Sequence, residues 1–438
     1  MPSLSRFPGP KSQQMLDELG RYVIATPYPF AIDLEKSHGM WLATVDGDEL
    51  FDWAGYYGSK LVGHNHPGLY EPGYVQRLVR AANNKVANPD FLTKECLDYY
   101  RLLHRCAPEI MRSDRLEVYA VNSGAEAVEN MMKYLIARHN GRRRAQGNRR
   151  FLYFDKAFHG RTVFALGVTQ TIDPVATKDF HGLSNTGNIK LPFPSYSDEA
   201  TPGENRAAAE RSLQQVESAL SLMSDEIVGI LVEPIQGAGG HRVAVSEFFQ
   251  GLSRLAYEYG VSLGFDEVQT GLGATGKMWG LDHFNLPYPP DAVATGKKFG
   301  NGVVYMREPL EDVGVLDSTW GGSLADMVRV VREMEIVEGE GLIERAAVNG
   351  QRLAQALRKI VQRYPDKTSN VRGLGLYQGF SLKTAELKRS VIDIALEEES
   401  MILLGAGSRT VRTRPSLSVT AEEIDLFAEK LERVIAKA

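Results

Sequence analysis

LEVYAVNSGAEAVENMMKYLI, residues 116–136, runs from a short apolar segment through Asn122-Ser123-Gly124-Ala125 into a second apolar pattern of a different period. Val128, Met131, Met132, Leu135 and Ile136 fall at i, i+3, i+4, i+7 and i+8, one stripe of a helix. The segment predicts a strand, a glycine turn and a helix that begins at Ser123-Gly124-Ala125. Glycine lets the backbone approach a ligand closely, and the free amides of a first helical turn, at the positive end of the helix dipole, suit a phosphate. Taken alone, Ser-Gly before a helix is commonly a plain N-cap.

Four further apolar runs end in the same way. FLYF (151–154) leads to Phe158-His159-Gly160-Arg161, and IVGILV (227–232) ends at Glu233-Pro234. VSLGF (261–265) ends at Asp266-Glu267, and DAVAT (291–295) at Gly296-Lys297. Strands alternating with helical patterns predict an α/β fold with a mostly parallel sheet covered on both faces. Ligands of such sheets gather beyond the carboxyl ends of the strands, so all five polar groups are expected at one edge.

The flanks have another texture. MWLATVDGDELFDW (40–53) reads as a hairpin turned at Asp46-Gly47, within an N-terminal arm. Beyond residue 325 a helical stretch broken around Glu338–Gly341, a glycine-punctuated segment and a terminal helix from about Thr420 predict a smaller α+β domain. The expected division is 1–60 for the arm and hairpin, 61–325 for the large domain and 326–438 for the small one. The basic run GRRRAQGNRR (141–150) reads as a solvated helix end and loop.

Composition narrows the partners. At 438 residues, 43% hydrophobic and 24% charged, the chain is an ordinary globular one. A formal net charge of −5 gives no reason to expect nucleic acid or an anionic membrane, and no run of about 18 apolar residues predicts a membrane span. Cys96 and Cys106 sit in no metal-ligand spacing, so no metal is expected, and so few cysteines suit a reducing cytoplasm. The N-terminal segment lacks the apolar core of a secretory signal.

A lysine at one strand end, an aspartate at a neighbouring one and a phosphate-cradling helix start are together the parts that pyridoxal phosphate needs. The motifs NSGAEAVENMMK, AFHGRT, EPIQGAGG, GFDEVQTGLGATG, GKKFGNG, STWGGS and VRTRP, in that order, resemble the class III aminotransferases of pyridoxal-phosphate fold type I. Within that family, DSTWGGSLADMV is most similar to the L-lysine 6-aminotransferase branch.

The resemblance implies a role for each matching position. Lys297 matches the Schiff-base lysine; Lys298 matches no role and is read as its solvated neighbour. Asp266 matches the carboxylate that pairs with the pyridinium nitrogen, Val268 and Phe158 the residues that sandwich the ring, and Gln269 the contact to its phenolic oxygen. Ser123, Gly124 and Ala125 match the phosphate loop. Thr319 matches a threonine that reaches the phosphate of a neighbouring subunit, which implies a homodimer with shared active sites.

Arg161 matches the arginine that grips the far carboxylate of an ω-amino substrate, and Arg412 the one that binds the α-carboxylate of 2-oxoglutarate or glutamate. Arg414 shares a strand face with Arg412, so the two assignments can be exchanged. The implied activity is ping-pong transfer of an amino group, from the ε-amine of L-lysine by preference, to 2-oxoglutarate. Ornithine, 4-aminobutyrate or a broader set of amino acids are alternative donors, and an amino-acid racemase or epimerase is the rival chemistry on this fold. One departure stands out: Ala238 occupies the place where ω-amino acid members carry a glutamate that pairs with the second arginine. Arg412 would then stay unpaired unless another carboxylate, such as Asp317, compensates.

Overall fold

The computed structural model describes residues 6–143, 149–170 and 187–438. Strands β1 (Ile32–His38), β2 (Trp41–Thr44) and β3 (Glu49–Asp52) begin the chain. β4 (Glu117–Val121), β5 (Arg150–Phe154), β6 (Ile189–Leu191), β7 (Ile227–Val232), β8 (Leu263–Asp266), β9 (Ala292–Thr295) and β10 (Gly302–Met306) form a seven-stranded sheet in the order β4-β10-β9-β8-β7-β5-β6. β11 (Thr368–Leu374), β12 (Tyr377–Leu382), β13 (Met401–Ile402), β14 (Leu404–Ala406) and β15 (Thr410–Arg412) follow.

All five apolar runs are strands, and β5 to β9 pair in parallel. β10 alone is reversed, antiparallel to both β4 and β9, so the carboxyl ends of the other strands share one edge. The sheet is α/β in kind, and β7 through β9 are buried along their whole length, as continuous apolar runs in a covered sheet require. The helix after β4, Gly124–Arg143, lays Val128, Met131, Met132 and Leu135 against the sheet without exposure.

The hairpin turns at Gly47, whose φ of +100° suits glycine, with Trp41 opposite Phe51. β3 then pairs in parallel with β13, so residues from both ends of the chain share one four-stranded sheet. The remaining sheet has the order β11-β12-β15-β14. The long helical stretch breaks as its pattern predicts, into Leu324–Gly339 and Leu342–Arg363, at Gly341 with φ +60°. The terminal helix Ala421–Lys437 opens on a reciprocal cap between Thr420 and Glu423. Within the basic run, residues 144–148 lie outside the described residues, while Arg150 pairs with Glu226 at 2.7 Å. Among the described residues no helix is long and apolar enough to cross a membrane.

Glycines let the sheet edge close on itself. A Cβ at Gly302 would overlap the Ser123 carbonyl, and one at Gly296 would lie 3.1 Å from Gly124 Cα. The turn after β9 therefore packs directly on the turn after β4. Gly302→Ala is expected to cost about 1–3 kcal/mol by overpacking, seen as a lower melting temperature in thermal scans.

Candidate active site

Lys297 follows β9 in a one-turn 3-10 segment, with a φ of +52° that is unfavourable for any residue with a Cβ. Such strain persists where surrounding structure imposes it, and it gathers at functional sites. The Lys297 amine donates to the Tyr57 carbonyl at 2.7 Å. That carbonyl is presented by a second left-handed stretch, Gly55, Tyr56, Tyr57 and Gly58, all with positive φ. Arg414 holds the stretch in place, since its backbone carbonyl and side chain fill the space that Cβ atoms at Gly55 and Gly58 would need.

Burial, and after it the guanidinium groups of Arg414 and Arg412, hold the Lys297 amine well below the usual lysine range, with Asp266 opposing. A neutral amine is a nucleophile and a proton acceptor, which an ordinary ammonium is not.

Asp266 closes β8 and is buried. One carboxylate oxygen accepts from the Val268 amide at 3.0 Å, and the other lies 2.8 Å from His159 Nδ1, which is also buried. Glu233, at the end of β7, accepts from the Phe158 amide at 3.2 Å. Burial and then the neighbouring Asp266 raise its carboxyl well above the usual range.

The sequence-identified groups meet at this edge. A Cβ at Gly124 would lie 2.9 Å from Val268, and one at Gly160, where φ is +134°, 2.9 Å from Ala125. The Ser123 hydroxyl accepts from the Glu126 amide at 3.2 Å, as an N-cap does. Gly124 and Ala125 belong to the first turn, whose amides have no acceptor within the helix. Thr319 is exposed, on a turn whose Trp320 and Gly322 line a surface depression together with Asn122.

The two arginines of β15 and its extension converge on one atom. The Gln269 amide oxygen accepts from Arg412 Nη1 at 3.4 Å, from Arg414 Nη2 and from the Tyr377 hydroxyl at 3.1 Å. Arg414 also lies over the Tyr377 ring at 3.7 Å. Burial lowers Arg412 to about 10 and Arg414 to about 9, with Glu233 opposing in both. Arg412 lines an open cavity that also contains Phe158, Arg161 and Ala238, whereas Arg414 is packed beneath it. Arg161 is exposed and makes no hydrogen bond or ion pair among the described residues.

Two expectations need correction. Lys298 is not solvated: it is 3% exposed and donates to the Gln269 and Gly271 carbonyls at 3.3 and 3.4 Å. The left-handed turn at Lys297 sends the adjacent side chains to different partners, and the second one inward. Asp317 does not compensate Arg412, because its carboxylate accepts from the Tyr119 hydroxyl. Glu233 is the carboxyl that acts on both arginines.

Several residues had no signal in spacing. His159 sits inside a quoted motif, yet nothing in its period marks it as the partner of Asp266. Tyr57 contributes only a carbonyl. His241, at φ +53°, is wholly buried against the Tyr377 ring, and burial with Arg372, Arg414 and Arg412 around it keeps the imidazole neutral.

Burial pushes Lys298 down to about 7 from an ordinary 10.5. Between these values an unfolded chain protonates the amine and the folded one does not, so this group makes stability rise with pH across that window. Lys298→Met should flatten the rise in melting temperature between pH 7 and 10, measured by thermal scans of both proteins.

The aminotransferase class-III family profile matches residues 23–435. L-lysine-epsilon aminotransferase of Amycolatopsis lactamdurans is 31% identical over 452 residues, covering 100% of this chain and 98% of that one. The enzyme of the same name from Mycobacterium tuberculosis (strain ATCC 25618 / H37Rv) is 33% identical over 93% of this chain and 92% of its own. The solved lysine aminotransferase from M. tuberculosis in the internal aldimine form superposes with a TM-score of 0.90 at 30% identity, covering 97% of this chain and 99% of that one. With a profile spanning nearly its whole length, this chain belongs to the class III aminotransferases, a family of pyridoxal-phosphate enzymes.

Proposed function

We propose that the protein moves the ε-amino group of L-lysine to 2-oxoglutarate, in two half-reactions between which the amino group stays on the enzyme. The observation that carries this reading is the Lys297 amine, half-buried, on a strained backbone and held well below the usual lysine range, at the strand edge that also holds Asp266 and the helix start at Gly124. We take residues 61–325 as the cofactor-binding domain, 326–438 as the smaller one and 1–60 as an arm.

The residues present fit pyridoxal phosphate: a buried carboxylate at Asp266, a side-chain-free approach at Gly124, Gly296 and Gly302, and a depressed lysine. When bound, that group supplies an aldehyde for an amine and a ring that withdraws electrons from the carbon being deprotonated. In this reading Lys297 Nζ holds the cofactor and, once released, takes and returns the substrate proton. Asp266, oriented by His159 and the Val268 amide, keeps a negative charge at the ring nitrogen. Val268 and Phe158 would flank the ring, Gln269 would face its oxygen, and the turn at Ser123, Gly124 and Ala125 would receive the phosphate through backbone amides.

Arg161 and Arg412 line one cavity, and each offers a planar fork to a carboxylate. Arg161 would hold the far carboxylate of lysine and so leave the terminal amine at the cofactor. Arg412 would take the α-carboxylate of 2-oxoglutarate, with Arg414 as the buried support beneath Gln269. The names of the relatives support lysine as donor. Thr319, exposed and away from its own chain's core, suits delivery to a second copy, so a homodimer is the proposed working unit.

Ala238 supports a second reading with a broader donor range, because no carboxylate at that position closes Arg412 to α-amino acids. A panel of lysine, ornithine, 4-aminobutyrate and α-amino donors, each with 2-oxoglutarate, separates the two. Glutamate should form fastest from lysine, and Ala238→Glu should raise the ratio of lysine to α-amino donor rates. A faster rate with any other donor moves the assignment to that donor. Loss of optical activity without glutamate would point to racemisation instead.

A further inference from the structure

The cavity that holds Arg161 and Arg412 is larger than those two groups need, about 1040 Å³, and it opens between the 238–242 turn and the small sheet. Among the described residues seven of those that line it are cationic and none is acidic, in a chain whose formal net charge is −5. Arg242 is neutralised by Asp155 at 2.9 Å. Arg372 has no ion pair among the described residues, though Asp198 acts on it from farther off: it is buried, and it spends its donors on the carbonyls of Gly240, His241 and Asn370 and on the hydroxyls of Ser381 and Thr410. Its charge remains in the wall.

At the mouth stand Lys388 and Arg409. Lys388 reaches over the floor of the cavity, where a Cβ at Gly405 would lie 3.8 Å from its amine. It donates once, to the Gly407 carbonyl at 2.7 Å, and Arg409 donates once, to the Lys383 carbonyl at 3.2 Å. Neither is within ion-pair distance of a carboxylate among the described residues. An ammonium has three donors and a guanidinium five, so both keep donors for a ligand. Ala238 adds no negative charge in either half-reaction.

We propose that Lys388 and Arg409 form an anion-docking rim that receives the dicarboxylate 2-oxo acid before it passes inward to Arg161 and Arg412. The inference rests on the transaminase reading of the site. The two substrates of that reaction differ in the property the rim detects: the acceptor is a dianion, and lysine carries two ammonium groups and one carboxylate. A mouth lined by one sign of charge concentrates the dianion and repels the cation, and steering of this kind raises association rates by roughly 10–1,000-fold at low salt. Screening over about 8 Å at physiological ionic strength reduces it.

The test measures each half-reaction separately on the holoenzyme, across a salt series and in Lys388→Gln/Arg409→Gln. For 2-oxoglutarate, kcat/KM should fall with added salt and fall roughly tenfold in the double variant. The lysine half-reaction should be flat or rise with salt, and a monoanionic 2-oxo acid such as pyruvate should lose less than 2-oxoglutarate. Equal losses in both half-reactions, or a salt-independent acceptor step in the unmodified enzyme, would overturn the rim. A holoenzyme that converts no 2-oxo acid with any donor would overturn the transaminase reading and the rim with it.

Discussion

The site depends on one close approach: the turn after β4 and the turn after β9 touch backbone to backbone. Where Gly302 meets the Ser123 carbonyl and Gly296 meets Gly124 there is no room for a side chain. The reversed strand β10 makes this possible, because it lies between β4 and β9 and begins at the edge where both of them end. A helix start suited to a phosphate and a reactive amine thereby come within the span of one small cofactor. Neither element would serve alone.

Around that contact the protein gathers buried charge. Lys297, Lys298, Arg412 and Arg414 are cationic groups forced towards their neutral forms mainly by burial. Glu233 and Glu267 are carboxyls forced the other way, Glu267 up to about 7 while it accepts from the Gly280 and Leu281 amides. Taking ions out of water is costly unless each is paired or hydrogen-bonded. Gln269 and Tyr377 share that task for the two arginines, and His159 shares it for Asp266. The arrangement favours a site whose protons are mobile, as proton transfer near neutral pH requires.

Much of this was legible before the fold was known. Five strands, their common edge and the amphipathic helix at 124–143 follow from the apolar pattern, because β7, β8 and β9 are buried on both faces, β4 and β5 over most of their length, and that helix on one face. β6, only three residues long, left no period to read. The direction of β10 was equally hidden, since VVYM reads the same in a parallel or an antiparallel pairing. Motif resemblance named the polar residues, but spacing did not reveal that Lys298 turns inward or that Glu233 serves the arginines. Those facts follow from a backbone torsion and from contacts between residues far apart in the chain.

The central claim is that Lys297, and not the lysine beside it, carries the cofactor. Borohydride reduction of the purified holoenzyme, followed by peptide mass spectrometry, would locate the attachment within ATGKKFGNG (294–302). The account predicts the added mass on Lys297, with Lys298 unmodified. Attachment at Lys298, or at no residue of this segment, would contradict it.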